Sequence, residues 1–415
     1  LKDIEFVLNH VAGLPEIGGF EAYPYADPEF VAGALGEAGR FAAEVIAPLN
    51  EVGDTEHSRL EDGTVVTPTG FKDAYEAFIA SGWPAVAFPE QYGGGGMPGI
   101  VATAVNELVT TANMAFSLCP MLTYGAVDML LEHGSDEHRE QWLDVLVSGA
   151  WTGTMVLTEA DAGSDVGALV TKAIPQDDGS YLISGSKIYI TWGDHDLTDN
   201  IVHIVLARTP DAPPGTKGIS CFIVPKFLRN EDGSVGEFNN VETVSLEEKL
   251  GIHASPTAVL AFEDSIENLI GEENKGMRYM FTMMNNARLQ VGLQGVAAAE
   301  RAYQGAVEYA LERKQGRAIG APKTEKSLIV EHPDVRRMLM LMRSQIEAAR
   351  CLVFKTAEYI DLSREHPDEA ARERATERLA LFTPVAKAWP TDMSVEVTSL
   401  GIQELGRKGY VEESG

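Results

Sequence analysis

The segment Met155–Val166, MVLTEADAGSDV, holds residue types that could bind a phosphorylated or flat aromatic ligand. A β-type run ends at Thr158 and is followed by the small residues Ala160, Gly163 and Ser164. Small side chains leave backbone N–H groups open, and these groups together with hydroxyls could approach a pyrophosphate or the edge of a flavin. An ordinary strand followed by a polar turn has the same composition, so the segment alone leaves both interpretations open.

The hydrophobic pattern divides the chain into three regions that would position such a segment. Helical spacing at both ends of the chain flanks a middle region of short runs rich in Val, Ile, Thr and Tyr. No helical pattern separates these β-type runs, so they do not form the parallel sheet of a nucleotide-binding fold. We expect an α+β multidomain protein with an N-terminal helical domain at 1–150, a middle antiparallel β domain at 151–268 and a C-terminal helical bundle at 269–415.

Individual residues mark the expected ends and breaks of these elements. The run Gly93–Gly96 must be a loop, since four glycines lose too much backbone entropy to hold a helix or strand. Asp136 opens a capped helix, and Pro333 precedes a long apolar stripe at a favoured first-turn position. A last helical pattern is broken at Pro384 and Pro390. Long helices with apolar stripes predict an antiparallel bundle.

The charge balance limits the partners that the chain can have. Its 415 residues include 62 acidic and 33 basic side chains, for a net charge of −29. We therefore expect neither nucleic acid nor an anionic membrane as a partner, although a local basic pocket could still take a phosphorylated cofactor. No apolar run approaches the roughly 18 residues of a membrane span, so we expect none. Three cysteines without a CxxC pattern indicate a reducing compartment, and a cytoplasmic location is expected.

Several patterns that carry chemistry in other proteins are incomplete here. The run GGGGMPG lacks the context of a Walker or Rossmann loop, and no GxSxG nucleophile elbow occurs. His133 and His138, or His195 and His203, have no metal-ligand spacing with a third partner. We expect these four to be surface histidines, and we expect no metal site.

Several motifs in fixed order resemble the acyl-CoA dehydrogenase family. The loop FPEQYGGGGMP precedes LEHGSDEHREQWLDVLVSGAWTGTMVLTEADAGSDV, which is similar to the family's passage from its N-terminal helical domain into its β domain. The motifs ISGSKIYIT, ALERKQGR, VEHP and QELGRKGY then follow in the family's order. The resemblance covers nearly the whole chain. It implies an FAD enzyme that takes a proton from the α carbon and a hydride from the β carbon of an acyl-CoA thioester, leaving a trans-2-enoyl-CoA and passing electrons to an electron-transfer flavoprotein.

The resemblance also implies roles for residues of the β domain. It places Thr158 at the pyrimidine side of the flavin and Thr191 near flavin N5, while Tyr189 stands where the family commonly has Trp. Ser164 is implied at both the FAD pyrophosphate and the CoA chain. The residues implied on the flavin side are Met155, Leu157, Thr158, Gly163, Ser164, Tyr189, Ile190 and Thr191. From its residue type alone, Tyr189 could instead be a cross-strand packing aromatic.

Further contacts are implied for the helical region. Arg313 corresponds to an arginine that reaches the FAD pyrophosphate of a neighbouring subunit, and Gln403 with Gly406 to the segment that holds the adenine half. The protein would then be at least a homodimer. A helix C-terminal cation is the alternative for Arg313. Asn285 and Arg288 correspond to the stretch that touches CoA and the thioester pocket, and the alternative for Arg288 is a buried salt bridge to a core carboxylate.

The motifs of this sequence do not include the catalytic base of the family. Abstraction of an α proton needs a carboxylate with a raised pKa, and some branches of the family place that Glu where this chain has Ala287. The resemblance implies instead a Glu in a Tyr-Glu-Gly motif shortly after Gly415. We therefore expect the sequence to be a portion of a longer enzyme that lacks dehydrogenation activity by itself. The adjacent Glu412 and Glu413 are expected to be a solvated pair.

Departures from the common motifs narrow the branch. The run RKQGR lacks the family's Phe, Arg407 replaces the second glycine of a Gln-x-x-Gly-Gly motif, and AIGAPKTEKSLIV is an insertion. These features resemble a larger bacterial branch that includes enzymes acting on 3-methylmercaptopropionyl-CoA, a product of dimethylsulfoniopropionate breakdown. A flavin oxidase or nitroalkane-type oxidoreductase of the same fold is the alternative. A DNA-associated protein of this fold would need a basic groove, which the charge opposes.

Overall fold

A computed structural model describes residues 1–322 and 324–411 of the chain. Helices occupy both ends of the chain and the large sheet occupies the middle, as the hydrophobic period predicts. The N-terminal helices are α1 (Lys2–His10), α2 (Leu14–Ile17), α3 (Pro28–Phe41), α4 (Leu49–Glu56), α5 (Phe71–Ala80), α6 (Gly99–Ala112), α7 (Met114–His133) and α8 (Asp136–Val147). A hairpin of β1 (Arg59–Glu61) and β2 (Thr64–Val66), which the sequence pattern did not predict, interrupts them.

Local hydrogen bonds set where these helices begin. The Asp27 carboxylate accepts from two backbone N–H groups in the first turn of α3. Helix α8 begins at Asp136 and is capped, as predicted, by a reciprocal capping box between Ser135 and His138. The run Gly93–Gly96 is a loop, as predicted.

The middle region forms a seven-stranded sheet. Its strands are β3 (Thr152–Val156), β4 (Lys172–Pro175), β5 (Tyr181–Thr191), β6 (Ile201–Ala207), β7 (Ser220–Pro225), β10 (Val241–Leu246) and β11 (Thr257–Leu269). Their order is β3-β6-β7-β11-β5-β4, with β10 also paired to β11. The pairings are antiparallel, as predicted, except that β3 runs parallel to β6. A separate hairpin of β8 (Phe227–Arg229) and β9 (Val235–Phe238) follows β7.

Strands β6 and β7 are buried on both faces, which explains their continuous apolar sequences. Ile204 and Ile223 belong to a core that also includes residues of α7 and α8. Val205 and Phe222, one position along each strand, belong to a second core with residues of β5, β10 and β11. Side chains alternate between the faces of a strand, so one pair of strands separates the two cores.

Three long helices close the chain: α9 (Gly276–Glu312), α10 (Pro333–Glu365) and α11 (Glu369–Leu405). Pro333 lies in the first turn of α10, as predicted, but the predicted breaks in α11 are wrong. The helix continues through Pro384 and Pro390. Pro390 has no N–H for the Ala386 carbonyl, and that oxygen lies against Gly292, where a Cβ would come within 2.0 Å of it. The carbonyl that Pro390 leaves without its helical hydrogen bond is therefore packed closely against Gly292 of α9.

The chain folds into two compact units. The first comprises Leu1–Glu44, Met97–Met114 and Arg288–Gly415, and the second comprises Val45–Gly96 and Ala115–Ala287. Helical residues on the N-terminal side of the sheet are thus shared between the units. The sheet lies entirely in the second.

Two further expectations from the sequence need correction: an apolar run as long as a membrane span does occur, and not all of the predicted surface histidines lie on the surface. Helix α7 is long and apolar enough to cross a membrane, but 78% of its apolar window is buried, as in the core helix of a globular protein. His138, His195 and His203 are buried and not on the surface, and His133 is half-buried. His195 and His203 share hydrogen bonds with the hydroxyls of Thr152 and Thr154, and burial lowers the pKa of each of these two histidines to about 3, so both are neutral.

Candidate functional site

Strand β3 delivers the first predicted contact segment to the surface of the second unit. Met155 is half-buried, Leu157 is buried, and Thr158 lies half-exposed just beyond the strand. The carbonyl oxygen of Thr158 accepts the backbone N–H of Ile188 at 2.9 Å. The two segments that the sequence singled out, 155–158 and 187–191, are therefore joined directly.

A β-bulge displays Tyr189 on the second segment. Ala258 of β11 pairs with Ile190, and Leu260 pairs with Lys187. Between these two pairs, β5 advances by three residues and β11 by two, so β5 carries one extra residue. Tyr189 has φ +59° and is 60% exposed. A bulge re-aims a side chain, and a bulky residue in this left-handed conformation is strained. The cross-strand packing alternative does not fit so exposed a ring.

The residues after Tyr189 are held firmly. Thr191 ends β5 opposite Thr257, and the following Trp192 is buried with φ +50°. The Trp192 backbone N–H donates to the carbonyl of Pro256 at 2.7 Å, and its indole N–H donates to that of Ala115 at 3.1 Å. Trp192 fixes the direction of Thr191, although sequence analysis gave it no role. Its two hydrogen-bond partners, Pro256 and Ala115, lie far away in the sequence, so no local pattern identifies Trp192.

A buried ion pair lies beneath both segments. The Lys187 Nζ is 2.9 Å from Glu159 Oε1, and the two side chains are 0% and 7% exposed. Lys187 also donates to the carbonyls of Leu157 and Leu206, at 2.9 and 2.8 Å. All three N–H groups of the ammonium are therefore used. The motif match included Lys187 without a role of its own, and Glu159 was missed.

The two charges of this pair depend on one another. Burial lowers the pKa of Lys187 to about 8, while Glu159 opposes the shift. For Glu159, burial favours the neutral acid, but Lys187 and the hydrogen bonds from Thr171 and Val170 outweigh it and hold its pKa below the usual range. The pair is ionised at neutral pH.

Gly163 and Ser164 lie beyond this pair in an exposed loop. The backbone of Glu159 and Ala162 forms a closed two-way bridge just before them. An open cavity of about 640 Å³ begins nearby, lined by residues 167–170, 208–210, 212 and 214–215 together with Lys172 and Ile174. The Arg208 guanidinium donates to carbonyl oxygens on both sides, including those of Leu169 and Gly215, and so fixes the rim of this cavity.

The remaining site residues predicted in the second unit lie on α9. Asn285 is exposed, and its neighbour Asn286 donates from Nδ2 to Asp128 Oδ2 at 2.6 Å. Asn286 Oδ1 is buried without a hydrogen-bond partner among the described residues. This half-satisfied amide is a buried polar group in the first third of α9.

Other predicted residues belong to the first unit. Arg288 is half-buried, and Arg313 is exposed immediately after the end of α9, a placement that leaves its helix-terminal alternative open. Gln403 donates to the Tyr410 hydroxyl, and Gly406 ends α11 with φ +60°. The structure does not test their predicted contacts. Glu412 and Glu413 lie outside the described residues.

The open groups of the second unit suit a flat ring that carries hydrogen-bonding atoms. Within residues 1–322 and 324–411, the hydroxyls of Thr158 and Thr191 make no hydrogen bond and stay partly exposed. The exposed Tyr189 ring provides an apolar surface on the same strand as Thr191. The isoalloxazine of FAD has the shape and polar edge for such a donor set.

Comparisons with known proteins agree with this chemistry. Residues 35–150, 154–265 and 274–415 match the models of the acyl-CoA dehydrogenase N-terminal, middle and C-terminal domains. The chain is 48% identical over 415 residues to 3-methylmercaptopropionyl-CoA dehydrogenase of Ruegeria pomeroyi, covering 100% of this chain and 70% of the relative.

Solved structures are similar as well. Butyryl-CoA dehydrogenase from Megasphaera elsdenii superposes with a TM-score of 0.75 at 27% identity, covering 92% of this chain and 89% of the other. A structure described as the electron transferring flavoprotein of Acidaminococcus fermentans matches with a TM-score of 0.76 at 26% identity, over 92% and 88% of the two chains.

Proposed function

The chain belongs to the acyl-CoA dehydrogenase family, and from this premise we propose that it carries out FAD-dependent α,β-dehydrogenation of an acyl-CoA thioester to the trans-2-enoyl-CoA. The observation that carries the proposal is the bond between Ile188 and Thr158, which brings the hydroxyl-bearing end of β3 beside the Tyr189 bulge. A sheet needs neither an exposed, strained tyrosine nor two open hydroxyls for its own stability.

The proposed FAD contacts are assigned residue by residue. In the second unit the ring would contact the half-buried Met155 and the hydroxyls of Thr158 and Thr191, with the Tyr189 ring alongside. The full proposed set is Met155, Leu157, Thr158, Gly163, Ser164, Tyr189, Ile190, Thr191, Arg313, Gln403 and Gly406. A guanidinium such as that of Arg313 suits a diphosphate geometrically.

FAD and the side chains around its ring would have distinct roles in the reaction. When bound, FAD takes up the hydride that leaves the β carbon. The hydroxyls of Thr158 and Thr191 orient the ring by hydrogen bonds, and the Tyr189 side chain shields it from water. The base that removes the α proton stays a prediction of the resemblance.

Thioester binding is proposed for the surface between Ser164 and the cavity. Ser164 precedes the cavity loop by three residues, and Lys172 adds a positive charge to the lining. A cation at an open cavity would attract the phosphates of CoA despite the acidic net charge of the chain. Asn285 and Arg288 are the proposed contacts on the thioester side.

We propose 3-methylmercaptopropionyl-CoA as the acyl substrate. The relative of that name is 48% identical over the full length of this chain. Methionines are also frequent in the core that includes Leu157: Met129, Met280 and Met283 are buried there, and Met155, Met277 and Met284 pack against it. Polarisable thioethers adapt to one another, which suits a sulfur-containing acyl chain.

A homodimer, an electron-transfer flavoprotein acceptor and a cytoplasmic location complete the proposal. Helix α11 carries an exposed apolar stripe that includes Leu381, Val385 and Trp389 and suits a second copy of the chain. The three cysteines are free, as thiols are in a reducing compartment. Sedimentation of the holoprotein as a monomer would contradict the dimer.

Anaerobic titration of the full-length holoprotein tests the reaction and the substrate together. The probes are 3-methylmercaptopropionyl-CoA and pentanoyl-CoA, which has a methylene in place of the sulfur. We expect the visible flavin absorbance to bleach with both and at lower concentration with the thioether. A purified protein without flavin, or a flavin that neither thioester reduces, would refute the reaction, whereas equal titrations would refute only the sulfur preference.

A further inference from the structure

The Lys187–Glu159 pair is buried and extensively hydrogen-bonded, yet the proposed chemistry uses neither residue. The ammonium has three acceptors, on Glu159, Leu157 and Leu206. The carboxylate accepts from Val170 N at 2.7 Å and from Thr171 N and Oγ1 at 3.1 and 2.6 Å. Six contacts thus converge on one buried pair.

These contacts join the segments on which the proposed site depends. Leu157 immediately precedes Thr158, and Lys187 immediately precedes Ile188, whose N–H binds Thr158. The lysine bond and the Ile188 bond are therefore two adjacent cross-links between the same two segments. On the other side, Val170 lines the cavity proposed for CoA, so Glu159 connects that wall to the same point.

Stability alone is a poor explanation for such a pair. Desolvating two charges costs much of what their attraction returns, and buried pairs are often replaceable by apolar side chains without loss of stability. What an apolar replacement cannot supply is direction, because each N–H of the ammonium points to a particular carbonyl. A compact ammonium also fits three separated acceptors, whereas a planar guanidinium would not.

We propose that Lys187 and Glu159 form a positioning element that fixes the Thr158 end of β3 and the Tyr189 bulge at one separation before FAD binds. This inference rests on the proposed function. The pair touches neither ring nor thioester in this scheme. It acts through the backbone of Leu157 and through the loop at 170–171.

The test compares Lys187→Met, which keeps an unbranched apolar side chain one atom shorter and removes the ammonium, with Asn239→Leu. Asn239 is buried in the same unit and makes three side-chain hydrogen bonds, to Pro225 and Ile266, without touching either segment. Thermal unfolding of each apoprotein, FAD affinity by flavin fluorescence, and kcat and KM are measured for both. If Lys187→Met does not fold, Glu159→Gln is the milder variant of the same pair.

We expect both variants to lose thermal stability, but only Lys187→Met to weaken FAD binding about tenfold or more. We expect its kcat to fall about 100-fold with KM little changed, as a displacement near 1 Å would produce. The double variant Lys187→Met/Glu159→Gln removes both charges, so it should regain thermal stability without regaining FAD affinity.

Three results would overturn the positioning role: FAD affinity unchanged in Lys187→Met, equal losses of affinity in Asn239→Leu, or full recovery of affinity in the double variant. Failure of the wild-type protein to bind FAD would instead refute the proposed function. The two failures are therefore distinguishable.

Discussion

The backbone N–H of Ile188 donates to the carbonyl oxygen of Thr158 across 2.9 Å, which joins two segments that lie 30 residues apart in the chain. Thr158 has already left the sheet, and Ile188 borders the bulge in β5. This hydrogen bond, which lies outside the regular ladder, and the adjacent bond from Lys187 to the Leu157 carbonyl thus hold the two proposed flavin-contact segments together. Changes that move this junction should affect cofactor binding more than folding.

Replacing Tyr189 should separate cofactor binding from stability. Tyr189→Gly removes an exposed ring from a left-handed position that glycine accepts, so we expect the free energy of unfolding to change by less than about 1 kcal/mol. FAD affinity should fall, because the apolar cover is lost, while Tyr189→Trp should retain it. Urea denaturation of the apoprotein and flavin fluorescence measure the two effects. Unchanged affinity in Tyr189→Gly would place the ring outside the site.

Glu404 should make the first unit less stable as pH rises. It is buried on α11, and neither carboxylate oxygen has a hydrogen-bond partner among the described residues. Burial raises its pKa from 4.5 to about 7, with Asp334 adding to the shift and Arg337 opposing it. The folded state therefore binds this proton more tightly than the unfolded chain, and the free energy of unfolding should fall as pH rises from about 4.5 to about 7.

Glu404→Gln tests that effect by removing the titration. The variant should gain about 2 kcal/mol over the wild type above pH 7 and almost nothing below pH 4.5, as followed by thermal unfolding across this range. An advantage of the same size at every pH would mean that packing, and not ionisation, sets the difference.

Gly292 should not accept a methyl group. A Cβ there would lie 2.0 Å from the carbonyl oxygen of Ala386, so Gly292→Ala should lose about 1–3 kcal/mol through overpacking between α9 and α11. Gly305→Ala is the matched control on the same helix, because nothing lies within 4 Å of its Cβ position. It should gain up to about 1 kcal/mol from helix propensity. Chemical denaturation that ranks the two variants the other way would contradict the close packing.

Arg350 should be essential for the stability of the first unit. Its guanidinium contacts Glu107 on α6 at 2.7 Å and Glu300 on α9 at 2.8 Å, with Arg350 itself 2% exposed on α10. Burial already raises the pKa of Glu107 in spite of the arginine. Arg350→Met would leave two acids without their cation, and we expect a loss of about 3–5 kcal/mol in urea denaturation. Arg350→Met/Glu107→Leu should recover part of it, and a double variant weaker than the single would contradict this account.

Much of the fold follows from residue order alone. The apolar stripe after Pro333 predicts the long helix that the structure shows at Pro333–Glu365, and the β-type runs predict the sheet, because burial of one stripe or face demands those periods. The same spacing fails where distant partners intervene. Pro384 and Pro390 indicate breaks, but α11 continues through them. His203 is of a residue type expected at the surface, but it is buried, and its Nδ1 shares a hydrogen bond with the Thr154 hydroxyl.

The candidate site also has features that the sequence predicts and features that only the tertiary structure decides. The resemblance of the motifs to the family assigned Thr158, Tyr189 and Thr191 to one flavin site. Hydroxyls and an aromatic surface suit a flat ring that carries polar atoms. Only the tertiary structure brought Lys187 to Glu159 and put Tyr189 on a bulge. These features depend on the register between β5 and β11 and on hydrogen bonds between residues about 30 positions apart. Side-chain types along the chain specify which groups are available, whereas non-local pairing decides where each of them points.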